Sequence, residues 1–309
     1  MKSQSLEEQS PSLFPIRLAG VAGLASAAIL FVNAAKRAGL IELSAATQLV
    51  APLGDTHYNS LQTRLSRRMR NGFQFNVNYT LGKSVGLAGA SNSDNQLRVR
   101  IPEYQHLNVA RSDFDRRHAL HISSIAELPF GPGRRWLANG GVLGMVLGGW
   151  QVNNILSFYS GLPFSVTASG TSLNSPGNTQ MADQVKEDVE IYGGTGRGNS
   201  YFDPFAFAPV TEARFGNAGF NTLTGPGMAE WDMGVFRRFQ IGQADLQFRV
   251  EGWNITNRPQ FNNPGANRSS LQLNPDGSIR NLNGYTEITG TRGSKTSERQ
   301  FRIGLRVGF

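Results

Sequence analysis

Two histidines, His118 and His121, have the spacing of metal ligands on one face of a helix. The residues around them alternate between apolar and polar, which indicates a strand. On a strand an offset of three places two side chains on opposite faces. The other histidines, His57 and His106, stand alone in different segments, and the chain has no cysteine. We therefore expect no metal site.

Two glycine-containing motifs could suggest phosphate binding. Gly82-Lys83-Ser84 resembles the end of a phosphate-binding loop, but that loop requires a glycine five residues before Gly82, where Val77 stands. The glycine-rich run 194–198 has no strand before it and no helix after it, so a flexible loop is the better interpretation. We expect no catalytic residue, no bound cofactor and no enzymatic activity.

One charged cluster remains, formed by Asp113, Asp115, Arg116 and Arg117. It could bind an anionic ligand or a divalent ion at the end of the strand that follows. The alternative is a solvated loop end whose charges pair with one another, and exposed pairs of this kind contribute little free energy. The second interpretation is favoured, and the four residues are kept as ligand-binding candidates.

The composition limits which elements could position such residues. Only 39% of the 309 residues are hydrophobic and 36 are glycine, which disfavours a helical membrane protein. The net charge of +8 would suggest nucleic acid in a soluble β-protein. The arginines, however, are spread singly through alternating segments, so no nucleic-acid partner is expected. The lack of cysteine fits exposure outside the cytoplasm.

The last stretch of the chain has the clearest pattern. From Phe301 to Phe309, apolar residues occupy every odd position, and arginine or glycine every even one. One face of such a strand is wholly apolar, and about 9–11 residues suffice for a tilted strand to cross a bilayer. A terminal aromatic such as Phe309 is thought to be recognised by the barrel-assembly machinery of the outer membrane. That machinery and outer-membrane lipid are the expected partners.

The same alternation predicts seven strands in all. The connections alternate in length, with short ones at 70–72, 129–148 and 242–245 and long ones at 84–117, 168–227 and 257–298. Short turns inside and long loops outside are typical of outer-membrane barrels. The sequence thus predicts an all-β fold of antiparallel transmembrane β-barrel strands, a partial barrel with long extracellular loops. The predicted strands are 57–69, 73–83, 118–128, 149–167, 228–241, 246–256 and 299–309.

The first 54 residues form a separate segment. An apolar stretch at 18–35 follows Lys2 and Arg17 and resembles a signal peptide. The leader before it is long and contains Glu7 and Glu8, which such signals avoid. A small-residue helix or loop is therefore favoured, and a transmembrane helix is the third alternative.

Several ordered motifs within residues 55–309 resemble the C-terminal barrel of Oar-like TonB-dependent receptors. They include Asn78-Tyr79-Thr80-Leu81-Gly82, Asp113-Phe114-Asp115-Arg116-Arg117, Glu127-Leu128-Pro129-Phe130-Gly131, Leu147-Gly148-Gly149-Trp150-Gln151, Ser160-Gly161-Leu162-Pro163-Phe164 and Asn257-Arg258-Pro259-Gln260-Phe261.

The resemblance implies a receptor with an N-terminal carboxypeptidase-regulatory-like domain, a plug and a barrel of about 22 strands. Seven strands cannot close such a barrel, so we expect a barrel fragment that contacts TonB only through regions absent from this chain. The predicted function is part of the wall of a pore for energy-coupled uptake. A structural or adhesive surface barrel is the alternative.

The alternation of side chains along the last predicted strand gives a first test of which residues face lipid. If Leu305 faces lipid and Gly304 faces the lumen, Leu305→Arg should lower the free energy of unfolding by about 2–4 kcal/mol near the midplane. Gly304→Ser should lower the free energy of unfolding only slightly. Equal losses of stability in a detergent or lipid folding assay would contradict the assignment of faces.

Overall fold

The computed structural model describes residues 55–87, 97–293 and 297–308. The predicted segment 1–54, with its apolar stretch 18–35, and the terminal Phe309 lie outside these residues. Among the helices that are described, none has the length and the apolar character needed to cross a membrane.

Seven long strands form one antiparallel sheet in which each strand pairs with the next one along the chain. Their alternation of apolar and polar residues is the pattern that a sheet with two different faces requires. A short strand, Val109–Arg111, pairs with the end of the second long strand. The long strands are β1 (Thr56–Arg70), β2 (Phe73–Leu87), β3 (His118–Glu127), β4 (Trp150–Tyr159), β5 (Met228–Ile241), β6 (Ala244–Trp253) and β7 (Gln300–Gly308).

The register places apolar residues opposite apolar ones and charged residues opposite charged ones. Leu305 of β7 lies opposite Phe248 of β6, while Arg302 lies opposite Glu251. Leu305 and Ile303 are 63% and 71% exposed, as expected for a face that no other part of the described chain covers. The apolar face therefore continues from β6 to β7, and which of the two faces meets lipid stays a prediction.

The sheet is open within the described residues. There, β1 pairs only with β2, and β7 pairs only with β6. The prediction of an all-β, partial barrel of seven strands is confirmed. Among the described residues, one edge of β1 and one edge of β7 have no neighbouring strand, and an open sheet edge would be costly in lipid.

Several predicted boundaries were wrong. The strand predicted at 73–83 continues to Leu87, and the strand predicted at 246–256 ends at Trp253. The strand predicted at 149–167 ends at Tyr159, and Pro163–Phe164 instead pairs with Leu223–Thr224. Gly161 follows this end, and a Cβ added there would clash with the Gly225 carbonyl oxygen. The turn predicted at 242–245 is shorter, because Ala244 already pairs with Ile241.

The long connections fold together at one end of the sheet. We call residues 97–117, 160–227 and 254–293 the cap. Almost all of the buried core lies in the cap, around the rings of Phe202, Phe207 and Tyr285. The ring of Phe202 packs edge-on against that of Tyr285, with centroids 5.5 Å apart. These loops are therefore a packed layer with an apolar core of their own.

Short strands and helical turns connect the cap segments. Arg268 donates from Nε to the Phe207 carbonyl oxygen at 2.7 Å, which satisfies polar groups inside the core. The short strands are Pro163–Phe164, Asp183–Gln184, Gly196–Ser200, Phe207–Ala208, Leu223–Thr224, Gln272–Leu273, Ile279–Asn281 and Glu287–Ile288, and the 3-10 helices are Pro102–Asn108 and Arg268–Ser270.

The cap core can be tested with two phenylalanines of one segment. Phe202 is fully buried, whereas Phe205 is 40% exposed. Phe202→Ala should destabilise the cap by about 3–5 kcal/mol, since it leaves a cavity among aromatic rings. Phe205→Ala should destabilise the cap far less. Rates of limited proteolysis in the cap would measure both, and equal sensitivity would contradict a common core around Phe202.

Candidate functional site

The predicted charged cluster lies where the cap meets the sheet. Asp113 to Arg117 connect the short strand Val109–Arg111 to β3. Residues of β2, of the cap and of the end of β4 surround them. The cluster thus occupies a junction between three parts of the fold.

Asp113 is held by partners that are distant in sequence. Its two carboxylate oxygens accept from Nη2 of Arg98 at 2.6 and 2.7 Å. Asn221 donates from Nδ2 to the same carboxylate at 2.6 Å. Arg98 also donates to Ser165 Oγ at 3.0 Å and lies over the ring of Phe220. Asp113 therefore connects two cap segments, 97–117 and 160–227.

Asp115 is buried, with 4% exposure. It accepts from the backbone N–H of Ser84 at 2.8 Å and from Nε of Arg111 at 3.1 Å. Arg111 donates in turn to Thr224 Oγ1 at 3.0 Å. A buried carboxylate is stable only when it is paired and hydrogen-bonded, as here. Asp115 attaches β2 to the cap.

The surroundings of Arg116 and Arg117 differ from those of the two aspartates. Arg116 donates to the Ser160 carbonyl oxygen at 2.9 Å, and its guanidinium lies 4.9 Å from the ring centre of Tyr159. Burial lowers the pKa of Arg116, and the positive charge of Arg292 lowers that pKa further. Arg117 is exposed. The positive field of Arg116 and Arg292 would favour an anion at this place.

The two histidines of β3 lie on opposite faces, as predicted. His118 Nδ1 is 2.8 Å from Tyr79 Oη, whereas His121 Nε2 is 2.5 Å from Tyr159 Oη. Within the described part of the chain, no group of three or more acidic or histidine residues is arranged to hold a metal ion.

The cluster therefore separates into two parts. The aspartates pair with Arg98 and Arg111 rather than with Arg116 and Arg117, so their role in this structure is to hold the cap. Sequence reasoning missed Asn221 because it is 108 residues from Asp113. It also missed Arg98 and Arg111, which are 15 residues from Asp113 and four from Asp115, because no local pattern indicates that their side chains pair with these carboxylates. Ligand binding by the four candidates stays a prediction, and Arg116 and Arg117 have the more suitable electrostatics.

A pair of aspartates tests the structural role. Asp115→Asn removes the charge that Arg111 and the Ser84 N–H require, and we expect a loss of about 1–3 kcal/mol in cap stability. Asp188→Asn is the control, because Asp188 is exposed in the same cap; its effect should stay within about 0.5 kcal/mol. Protease resistance of the cap in membranes measures both, and an unchanged Asp115→Asn variant would contradict the role.

Comparison with known proteins agrees with this architecture. The family model described as an outer membrane beta barrel domain matches residues 12–302. No curated protein and no solved structure matches the chain. The matched range includes the six strands β1 to β6, the whole cap and the first three residues of β7. The chain belongs to the outer membrane beta barrel domain family and resides in the outer membrane.

Proposed function

We propose that the chain forms part of the wall of a TonB-dependent receptor of the Oar-like type, which takes up a ligand across the outer membrane. The observation that carries the proposal is the asymmetry of the sheet. Two short turns and the helical connection 128–149 join the strands at one end, and a folded cap of three longer connections lies at the other. In outer-membrane barrels the longer connections are extracellular, which supports a cap outside the cell and short turns in the periplasm.

The different chemistry of the two sheet faces supports the interpretation of the sheet as part of a pore wall. The apolar face suits contact with outer-membrane lipid. The other face is polar, and Arg238, Gln247 and Arg306 lie directly across three neighbouring strands. Arg302 and Glu251 form an ion pair on the same face at 2.6 Å. A lumen lined in this way would pass a polar ligand rather than an apolar one.

Two protein partners follow from the proposal. The barrel-assembly machinery would recognise the terminal strand β7 together with Phe309. TonB would be contacted through regions other than the strands and cap. No nucleic acid is involved, and no enzymatic step is assigned to this chain.

A structural or adhesive surface barrel is the second candidate. The buried aromatic core of the cap favours this second candidate, because a well-packed outer surface suits permanent contact with a partner. The Arg116 and Arg292 region would then be a recognition surface rather than a ligand entrance. Dependence on TonB separates the two candidates.

The test is a chromosomal epitope tag between Asp276 and Gly277, at the exposed tip of a cap hairpin. Antibody should reach this tag on intact cells. Formaldehyde should cross-link the tagged protein to TonB, and the adduct should be lost from a strain without TonB. A tag at Gln243, in the short turn between β5 and β6, is the control and should be inaccessible to antibody.

Two results would contradict the proposal. A tag that is reachable at Gln243 and not at Asp276 would invert the topology. A correctly oriented protein that gives no TonB adduct would contradict energy-coupled uptake and favour the structural barrel.

A further inference from the structure

The connection between β3 and β4 carries an exposed apolar helix, Gly141–Leu147. No charged residue occurs from Trp136 to Trp150. An apolar surface of this kind is unfavourable in water and usually marks a contact site. The exposed fractions of its large side chains are 74% for Val142, 64% for Leu143, 67% for Met145, 55% for Val146 and 44% for Leu147.

Two side chains of the sheet hold this helix. Trp150 donates from Nε1 to the Val146 carbonyl oxygen at 2.9 Å. Arg237 donates from Nη1 to the same oxygen at 2.7 Å and from Nη2 to the Met145 carbonyl oxygen. The last carbonyls of a helix lack partners within it, and a cation is favourable at that end. The helix is thus attached by its C-terminal turn.

The register shows on which side of the sheet the helix lies. Trp150 is directly opposite Arg237, in the row next to Val152 and Val235. Strand parity therefore places both side chains on the apolar face. Since both bind the carbonyls of the helix, the helix lies at the short-turn end of that face. Its apolar surface continues the surface proposed to meet lipid.

We propose that Gly141–Leu147 is an interfacial anchor that inserts into the periplasmic leaflet of the outer membrane. The partner is the phospholipid surface at the boundary between headgroups and acyl chains, where short apolar helices and tryptophans are stable. The proposal rests on lipid contact of the apolar sheet face, and it assigns a membrane role to a connection outside the strands.

Charge around the helix fits the same partner. Arg135 is exposed, and its guanidinium lies 5.8 Å from the ring centre of Trp136, just before the helix. Arg134 is in an ion pair with Glu127 at 2.5 Å. A basic side chain beside an apolar helix attracts the anionic phosphates of a membrane surface. Tryptophan beside arginine therefore places this connection at headgroup level.

This chain contains no cysteine, so each single-cysteine variant carries its label at one known position of the chain. Met145→Cys would carry an environment-sensitive fluorophore in isolated outer membranes that contain the full protein. Leu305→Cys reports the apolar sheet face, and Val185→Cys, at an exposed cap position, reports water. Stearic acids with a nitroxide near the headgroup or near the chain end quench from lipid, and iodide quenches from water.

We expect the label at Met145 to lose fluorescence with the shallow nitroxide more than with the deep one, and to resist iodide. Label at Leu305 should be quenched by nitroxide, and label at Val185 by iodide. Iodide quenching at Met145 with nitroxide quenching at Leu305 would overturn the anchor and leave the proposed barrel intact. Disulfide-linked dimers through Met145→Cys, without lipid quenching, would overturn it in favour of a second copy. Iodide quenching at both positions would contradict the lipid-facing assignment too.

Discussion

The structure depends on one constraint, which is that an extended chain in lipid must satisfy every backbone N–H and C=O group by pairing with neighbouring strands. Seven strands pair in sequence order over the whole length of the sheet. Because side chains alternate with a period of two, the register of each pair decides which residues face lipid. A shift of one residue between β6 and β7 would move Arg302 and Arg306 to the apolar face.

Outside the strands the constraint is different. Backbone groups in the cap are near water or near other cap segments, so irregular structure is allowed there. The cap then obeys the rules of a soluble domain, with an aromatic core around Phe202 and Tyr285 and with its buried carboxylates paired. Asp113 and Asp115 follow the same rule, because an arginine and amide N–H donors replace the water that would hydrate each carboxylate.

The two ends of the sheet use arginine differently. At the cap end, Arg98 and Arg111 neutralise carboxylates and connect segments that are far apart in sequence. At the short-turn end, Arg237 pairs with no carboxylate in the described structure, and it satisfies the carbonyls of a helix while its guanidinium lies 4.4 Å from the ring centre of Phe239. A cation on an apolar face is stable there because carbonyl oxygens and aromatic rings replace water. The helix and the sheet face thus form one surface.

The sequence by itself determined the all-β class, the seven strands, their faces and the difference between short and long connections. These follow from alternation and turn residues, which act between near neighbours. It also placed His118 and His121 on opposite faces. Only the tertiary structure decided that the long connections pack into a cap, that β4 ends at Tyr159, and that Asp113 binds Arg98 and Asn221. Such contacts join residues that can be more than 100 positions apart, and their formation depends on which segments the sheet brings together at one end, a relation that no local pattern records.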